Sequence, residues 1–191
     1  MVARNTTERW GTVAKSFHWV IALIIIGSSI LALVLVNADE TLPENVKRYI
    51  VLIKVHKSFG LTVLVLVAMR AAWAMANTRP VVPHGPNPWE ARLMHLAHLA
   101  LYGLMLLVPL SGWLSSSSFG SKTRYFNLFL VPNIWPKDPV MIKLWHPMHK
   151  FGSWILLAFV VGHIGAALWH HFVRKDDVLR NMLPFGRMKA S

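Results

Sequence analysis

Four long apolar runs separated by short polar stretches dominate the chain. The first, Phe17 to Val36 (FHWVIALIIIGSSILALVLV), holds 20 residues without a formal charge, about what a helix needs to cross a hydrocarbon core. The second, Tyr49 to Ala76, contains Lys54 and Lys57 near one end and Arg70 near the other, positions from which long side chains snorkel to an interface. Leu93 to Leu114 is again uncharged and carries Pro109, which predicts a kink. The fourth run, Trp145 to His171, is the richest in histidine. Spanning helices are therefore expected over residues 17–36, 49–76, 92–114 and 145–173.

The stretches between them read as connections. Residues 77–91 contain Pro80, Pro83, Pro86 and Pro88 and form a stiff loop. Residues 115–144 open with four serines and include YFNLFLVPNIW, too short to span and read as lying in the interface or capping the bundle. A charged tail follows from Arg174 to residue 191. The VNA before Asp39 resembles a signal-peptide cleavage site, but the apolar run exceeds the usual ~7–15 residues and holds His18, so it is read as a retained span. The expected fold is all-α, an integral membrane four-helix bundle forming one domain over residues 1–191. Four spans put both termini on one side, and eleven Lys and Arg there against nine on the other lean towards that side being cytoplasmic and the 115–144 loop outer, without settling it.

Composition narrows the chemistry. Apolar residues make up 54% and charged residues 15%, well below the roughly 25% charged of soluble domains. The absence of cysteine excludes disulfides, iron–sulfur clusters, thiolate ligands and covalent CxxCH haem attachment. Ten histidines are left as the strong metal ligands. The net charge of +12 is scattered between apolar runs, not gathered into a solvated stripe, which argues against nucleic acid as a partner.

Depth sorts the histidines. His18 lies near the inner start of the first span and His56 near the outer end of the second. His149 and His163 are 14 residues apart on the fourth, nearly co-facial and separated by roughly 21 Å of rise. Matching heights pair His56 with His149 and His18 with His163, each from two helices, as bis-histidine haem ligation requires. Gly60, Gly152, Gly162 and Gly165 lie near these positions and would let a flat macrocycle approach the backbone, though helix packing explains them equally. Any single histidine could simply bond a backbone carbonyl; four at matched depths favour a shared role. Metal transport is the other reading, but no Asp or Glu lies inside a span. Two axial histidines saturate iron, which favours electron transfer over oxygen binding.

Several motifs then resemble the bacterial cytochrome b561 family: RWGTVAKSFHW around His18, HKSFG with Arg70 fourteen residues after His56, HLAHLALY from His95 to Tyr102, and Hx13Hx6HH followed by FVRKDDVL. The resemblance covers residues 9–183. It implies an inner-membrane di-haem b protein whose axial ligands fall on His18, His56, His149 and His163, with His146 an alternative to His149 because a Trp-His precedes it. Arg70 becomes a candidate for a haem propionate, and His170, with His98 as helper, for a quinone oxygen. The implied activity is quinone-linked electron transfer with two haem b and ubiquinone as co-substrate, and oxidation of superoxide on the outer face. Lys54, Lys57 and Lys150 flank the outer pair and would draw an anion in. The alternative is an electron carrier or membrane anchor serving a partner dehydrogenase or hydrogenase. Partners expected on this basis are membrane lipid, quinone and superoxide or a protein donor, with a homodimer an allowed assembly.

Overall fold

The computed structural model describes residues 2–37, 43–80 and 88–184. Asp39, Glu40, Pro83, Pro86, Arg187 and Lys189, which entered the cleavage-site, loop and charge readings, lie outside the described residues. Four helices are long and apolar enough to cross a membrane. They are α1 (Thr12–Val36), α2 (Pro43–Met75), α3 (Pro88–Ser118) and α4 (Pro139–Trp169). A π-helical turn, His170–Arg174, continues α4, and a short α5 (Val178–Met182) follows. Each long helix outruns its apolar window because polar residues at a membrane surface can extend a helix without burial. At α1, Asn5 secures the start: its Oδ1 accepts from Gly11 N at 3.0 Å, and its Nδ2 donates to Thr78 O at 2.9 Å.

The largest departure from expectation lies in residues 115–144. The four serines belong to the last turn of α3 and are buried, Ser117 and Ser118 completely. Serine favours helix ends only weakly, but here Ser117 Oγ accepts from Ile134 N at 3.2 Å and Ser118 O from Asp138 N at 3.0 Å, while Ser118 Oγ is buried without a hydrogen-bond partner among the described residues. Gly120, at φ 73°, closes the helix, its N–H donating to Ser117 O at 2.8 Å while Ser121 N–H reaches Ser116 O at 3.1 Å. This is the paired hydrogen-bond pattern of a left-handed C-terminal cap. A hairpin follows, β1 (Thr123–Tyr125) and β2 (Phe129–Val131), antiparallel with Arg124 opposite Leu130. Its turn residues Phe126 and Asn127 both have positive φ. The hairpin is docked on α2, where Ser58 Oγ accepts from Phe126 N at 2.9 Å and Thr62 Oγ1 lies 3.0 Å from the Tyr125 hydroxyl. Asp138 then caps α4, accepting from Val140 N and Met141 N at 2.9 and 3.2 Å.

Consecutive helices pack on one another, α1 on α2, α2 on α3 and α3 on α4. The buried core is small: Ile21 and Ile25 of α1, Val63 and Val67 of α2, Leu101, Met105 and Val108 of α3, and Leu156 of α4. Phe151, Trp154, Ile155, Val161, Ile164 and Leu168 of α4 are exposed. An apolar surface on this scale matches a lipid solvent and not water. The described N-terminal and C-terminal parts meet at one end of the bundle, where Lys15 Nζ donates to Leu183 O at 3.0 Å and Trp19 Nε1 to Met182 O at 2.8 Å. The hairpin marks the opposite end.

Because Gly120 occupies the left-handed region and a Cβ there would lie 3.3 Å from the Lys137 side chain, Gly120→Ala is expected to cost about 1–2 kcal/mol. Thermal unfolding of the detergent-solubilised protein would register this as a lowered midpoint.

Candidate functional site

The rings of His56 (α2) and His149 (α4) face each other near the hairpin end, with centroids 6.0 Å apart and planes at 77°. Those of His18 (α1) and His163 (α4) do so near the end that holds the termini, at 6.1 Å and 58°. All four side chains are half-buried. Both levels therefore draw one ring from α4, and the co-facial spacing of His149 and His163 gives two separate pairs.

The hairpin-end pair is held by backbone carbonyls. His149 Nδ1 lies 2.9 Å from Val108 O, and His56 Nδ1 lies 3.2 Å from Ser28 O and 3.0 Å from Ser28 Oγ. A carbonyl can only accept, so each Nδ1 bonded to one carries the proton and leaves Nε2 with a lone pair. This is the arrangement that metal-binding histidines adopt, the second nitrogen fixed by an outer hydrogen bond. Val108 O also accepts from Ser111 Oγ at 2.7 Å, directly before Pro109, which lies inside α3. A Cβ on Gly112 would lie 2.8 Å from the His149 ring. Val108 and Gly112 thus form a notch one helical turn long in α3, and the imidazole sits in it. His146 is exposed and rests edge-on against Phe119, so of the two alternatives it is His149 that faces His56.

The other level is more crowded. His98 brings its ring to 5.4 Å from that of His163 and bonds Met94 O through Nδ1 at 2.7 Å. Arg70 lies over the Tyr102 ring at 5.4 Å, and its charge acts on both His18 and His163. His170 is elsewhere, in the π-helical turn, with Nδ1 2.5 Å from Asp176 Oδ2. His98 and His170, grouped by the sequence as quinone candidates, make no contact with each other. Arg174 of the same turn holds Glu90 through two hydrogen bonds of 2.8 and 2.9 Å, fastening α4 to the start of α3.

Three residues of the site are silent in the sequence reading. Ser28 looks like an ordinary small residue in an apolar run. Gly112 carried a usable signal, since an isolated glycine inside a helix usually has a packing reason. Asp176 reads as part of a charged tail, and only the π-helical turn returns it to His170. Of the glycines read as making room for a macrocycle, Gly60 faces Pro109 and Gly152 faces Val108, while Gly162 and Gly165 have open space beside them. Among the described residues no group of three or more His, Asp or Glu could hold a bare metal ion. Lys57, expected to flank the outer pair at the surface, instead turns inward to hydroxyl groups.

Comparison with known proteins points one way. A family model described as prokaryotic cytochrome b561 matches residues 9–185. The chain is 32% identical over 183 residues to cytochrome b561 homolog 2 of Escherichia coli (strain K12), covering 94% of this chain and 93% of that one. It is 25% identical over 142 residues to cytochrome b561 homolog 1 of the same organism, covering 74% and 80%. A protein named probable superoxide oxidase CybB, from Yersinia pestis, is 26% identical over 181 residues, covering 93% and 97%.

Gly112→Ala would force the His149 ring out of its notch, at a cost of about 1–3 kcal/mol for overpacking. A Cβ on Gly103 of the same helix would meet nothing within 4 Å, so Gly103→Ala serves as the matched control. Bound b-type haem, measured per chain on the purified proteins, should fall in the first and stay at the parental level in the second.

Proposed function

Since this chain belongs to the prokaryotic cytochrome b561 family, a multi-pass inner-membrane group of b-type cytochromes, we propose that it carries two haem b groups and passes electrons across the membrane to quinone. The observation that supports this most is the pair of facing imidazoles at each of two levels. A metal bonded to imidazole nitrogen at about 2 Å on each side leaves ring centroids about 6 Å apart, so the separations fit the group, as does the donor set of neutral Nε2 atoms. His56 and His149 would hold one haem, and His18 and His163 the other. Arg70, at the second level, would receive a propionate. Held between two histidines, a haem would supply a one-electron couple.

The chain's residues supply position and protons. Ser28 and Val108 fix the tautomers of His56 and His149 through their carbonyls. The apolar faces of α1 to α4 keep water from the span between the two levels. His170, oriented by Asp176, holds a proton at the end of the bundle that carries the termini, which is read as cytoplasmic. There it would bond a ubiquinone oxygen and deliver the proton that reduction requires. His98, against His163, lies between that level and the surrounding lipid. On the hairpin side, read as periplasmic, the donor is proposed to be superoxide, as the name of the Yersinia pestis relative says of that protein. The exposed Lys54 and Lys150 near His56 and His149 favour an anion there. A second reading is an electron carrier docked to a partner dehydrogenase or hydrogenase, and the exposed Leu128, Phe129 and Leu130 of the hairpin favour it.

Pyridine haemochrome analysis should give two b haems per chain. His56→Ala or His149→Ala should lose one, His18→Ala or His163→Ala the other, while His146→Ala keeps both. A colourless protein, or full haem content after the double replacement of His56 and His163, would refute the assignment. Superoxide added to the isolated protein should reduce haem within the assay dead time and support quinone reduction. Reduction that occurs only with a partner protein would select the carrier reading. His170→Ala should lower quinone reduction about a hundredfold or more, the lower range of a lost general acid, with superoxide-driven haem reduction unchanged.

A further inference from the structure

Lys54, Lys57 and Lys150 lie close together in the sequence pattern around the hairpin-end pair, but they are not equivalent. Lys54 and Lys150 are exposed. Lys57 is half-buried, and its Nζ donates to Ser116 Oγ at 2.9 Å and Ser121 Oγ at 3.0 Å. Ser116 Oγ in turn lies 3.2 Å from Thr123 Oγ1, and Ser116 and Thr123 are both buried. Among the described residues no carboxylate forms an ion pair with Lys57. Hydroxyl dipoles solvate an ammonium but leave its charge uncancelled, and a charge withdrawn from water interacts more strongly with its surroundings than one at the surface.

Anchoring the hairpin does not call for a charge. Ser58 and Thr62 already hold the hairpin to α2 through neutral hydrogen bonds, and a neutral donor would add to them without the desolvation penalty of an ion. A lysine at this depth could also snorkel outward, as its neighbours do. It is drawn in, one residue from His56, and its charge acts on the His56 ring.

We propose that Lys57 is the residue that sets the redox level of the hairpin-end centre, its fixed ammonium favouring the reduced state. This rests on the reading that His56 and His149 hold a haem. Reduction adds one electron from the external donor and lowers the charge of the centre by one, and Lys57 exchanges neither electron nor proton. A stationary cation beside the centre stabilises the less positive state, so the level nearest the donor becomes the better acceptor. Lys57 is a positioning charge and touches no reacting atom.

The test is a potentiometric titration of the haem-loaded, full-length protein followed by visible absorbance, for the parent, Lys57→Met, Lys57→Arg and Ser121→Ala. Lys57→Met should keep its haem and shift the reduction equilibrium of one centre about tenfold toward the oxidised state, which for a one-electron couple is about 59 mV. The other centre should not move. Lys57→Arg, which keeps the charge, and Ser121→Ala, which keeps the charge but removes one hydrogen bond, should titrate like the parent. The shift should persist at high salt, where the influence of exposed lysines is screened. An unshifted potential in Lys57→Met at full haem content overturns the inference, as does an equal shift in Ser121→Ala, which would make anchoring the cause. If Lys57→Met loses haem, Lys57→Gln replaces it in the comparison, and loss in both assigns Lys57 a structural role and overturns the inference. A parent protein without haem refutes the underlying reading instead, and the two failures are distinguishable before any substitution is made.

Discussion

An imidazole inside a hydrocarbon layer must find partners for two nitrogens, because lipid offers none. In this bundle backbone carbonyls meet half of that demand at the hairpin-end level, and helix geometry normally forbids it, since each carbonyl inside a helix is already engaged four residues on. The chain makes its exceptions locally. The oxygen of Val108 serves both Ser111 and His149, and Gly112 removes the side chain that would block the approach. Ser28 offers His56 both its carbonyl and its hydroxyl. With Nδ1 occupied in this way, each ring is left with one unprotonated nitrogen, and these contacts fix the rings on helices that otherwise share little.

The two ends of the bundle solve the problem of ending a helix differently. At the hairpin end, a run of four buried serines, a glycine cap and a short hairpin form a polar layer in which neutral donors and acceptors satisfy one another, and Lys57 is the one charge this layer takes in among the contacts described. At the other end charged groups do the work. Arg174 ties α4 to Glu90, His170 is fixed by Asp176, and Lys15 and Trp19 hold the carbonyls that close α5. One end is closed mainly by hydroxyl and backbone hydrogen bonds, and the other by ionic and titratable contacts near the described chain ends.

Much of the fold was legible from hydropathy alone, because apolar runs of spanning length admit few structures in lipid. The histidine heights were legible for the same reason: a known span direction and a fixed rise per residue convert sequence position into depth, and the facing of His18 with His163 and of His56 with His149 follows. Where hydropathy carries no information, the reading failed. Serines 115–118 look like a loop by propensity, and only the partners supplied by Lys57, Ile134 and Asp138 keep them helical. Asp176 could not be matched to His170 because a π-helical turn shifts the register without leaving a mark in composition. Lys57 was assigned to the surface by its type, whereas the hydroxyls of Ser116 and Ser121, distant in sequence, decide where it points.

Helix α4 contributes a ring to both levels, packs chiefly on α3 and turns much of its length to lipid. It also leaves the ribosome after the other three. During synthesis α1 to α3 therefore enter the bilayer with His18 and His56 still unmatched, and neither pair of facing rings can form until α4 has been inserted. Assembly of the two levels is thereby ordered: lateral docking of α4 completes both at once, and a chain truncated before it would be a membrane-embedded bundle with neither pair formed.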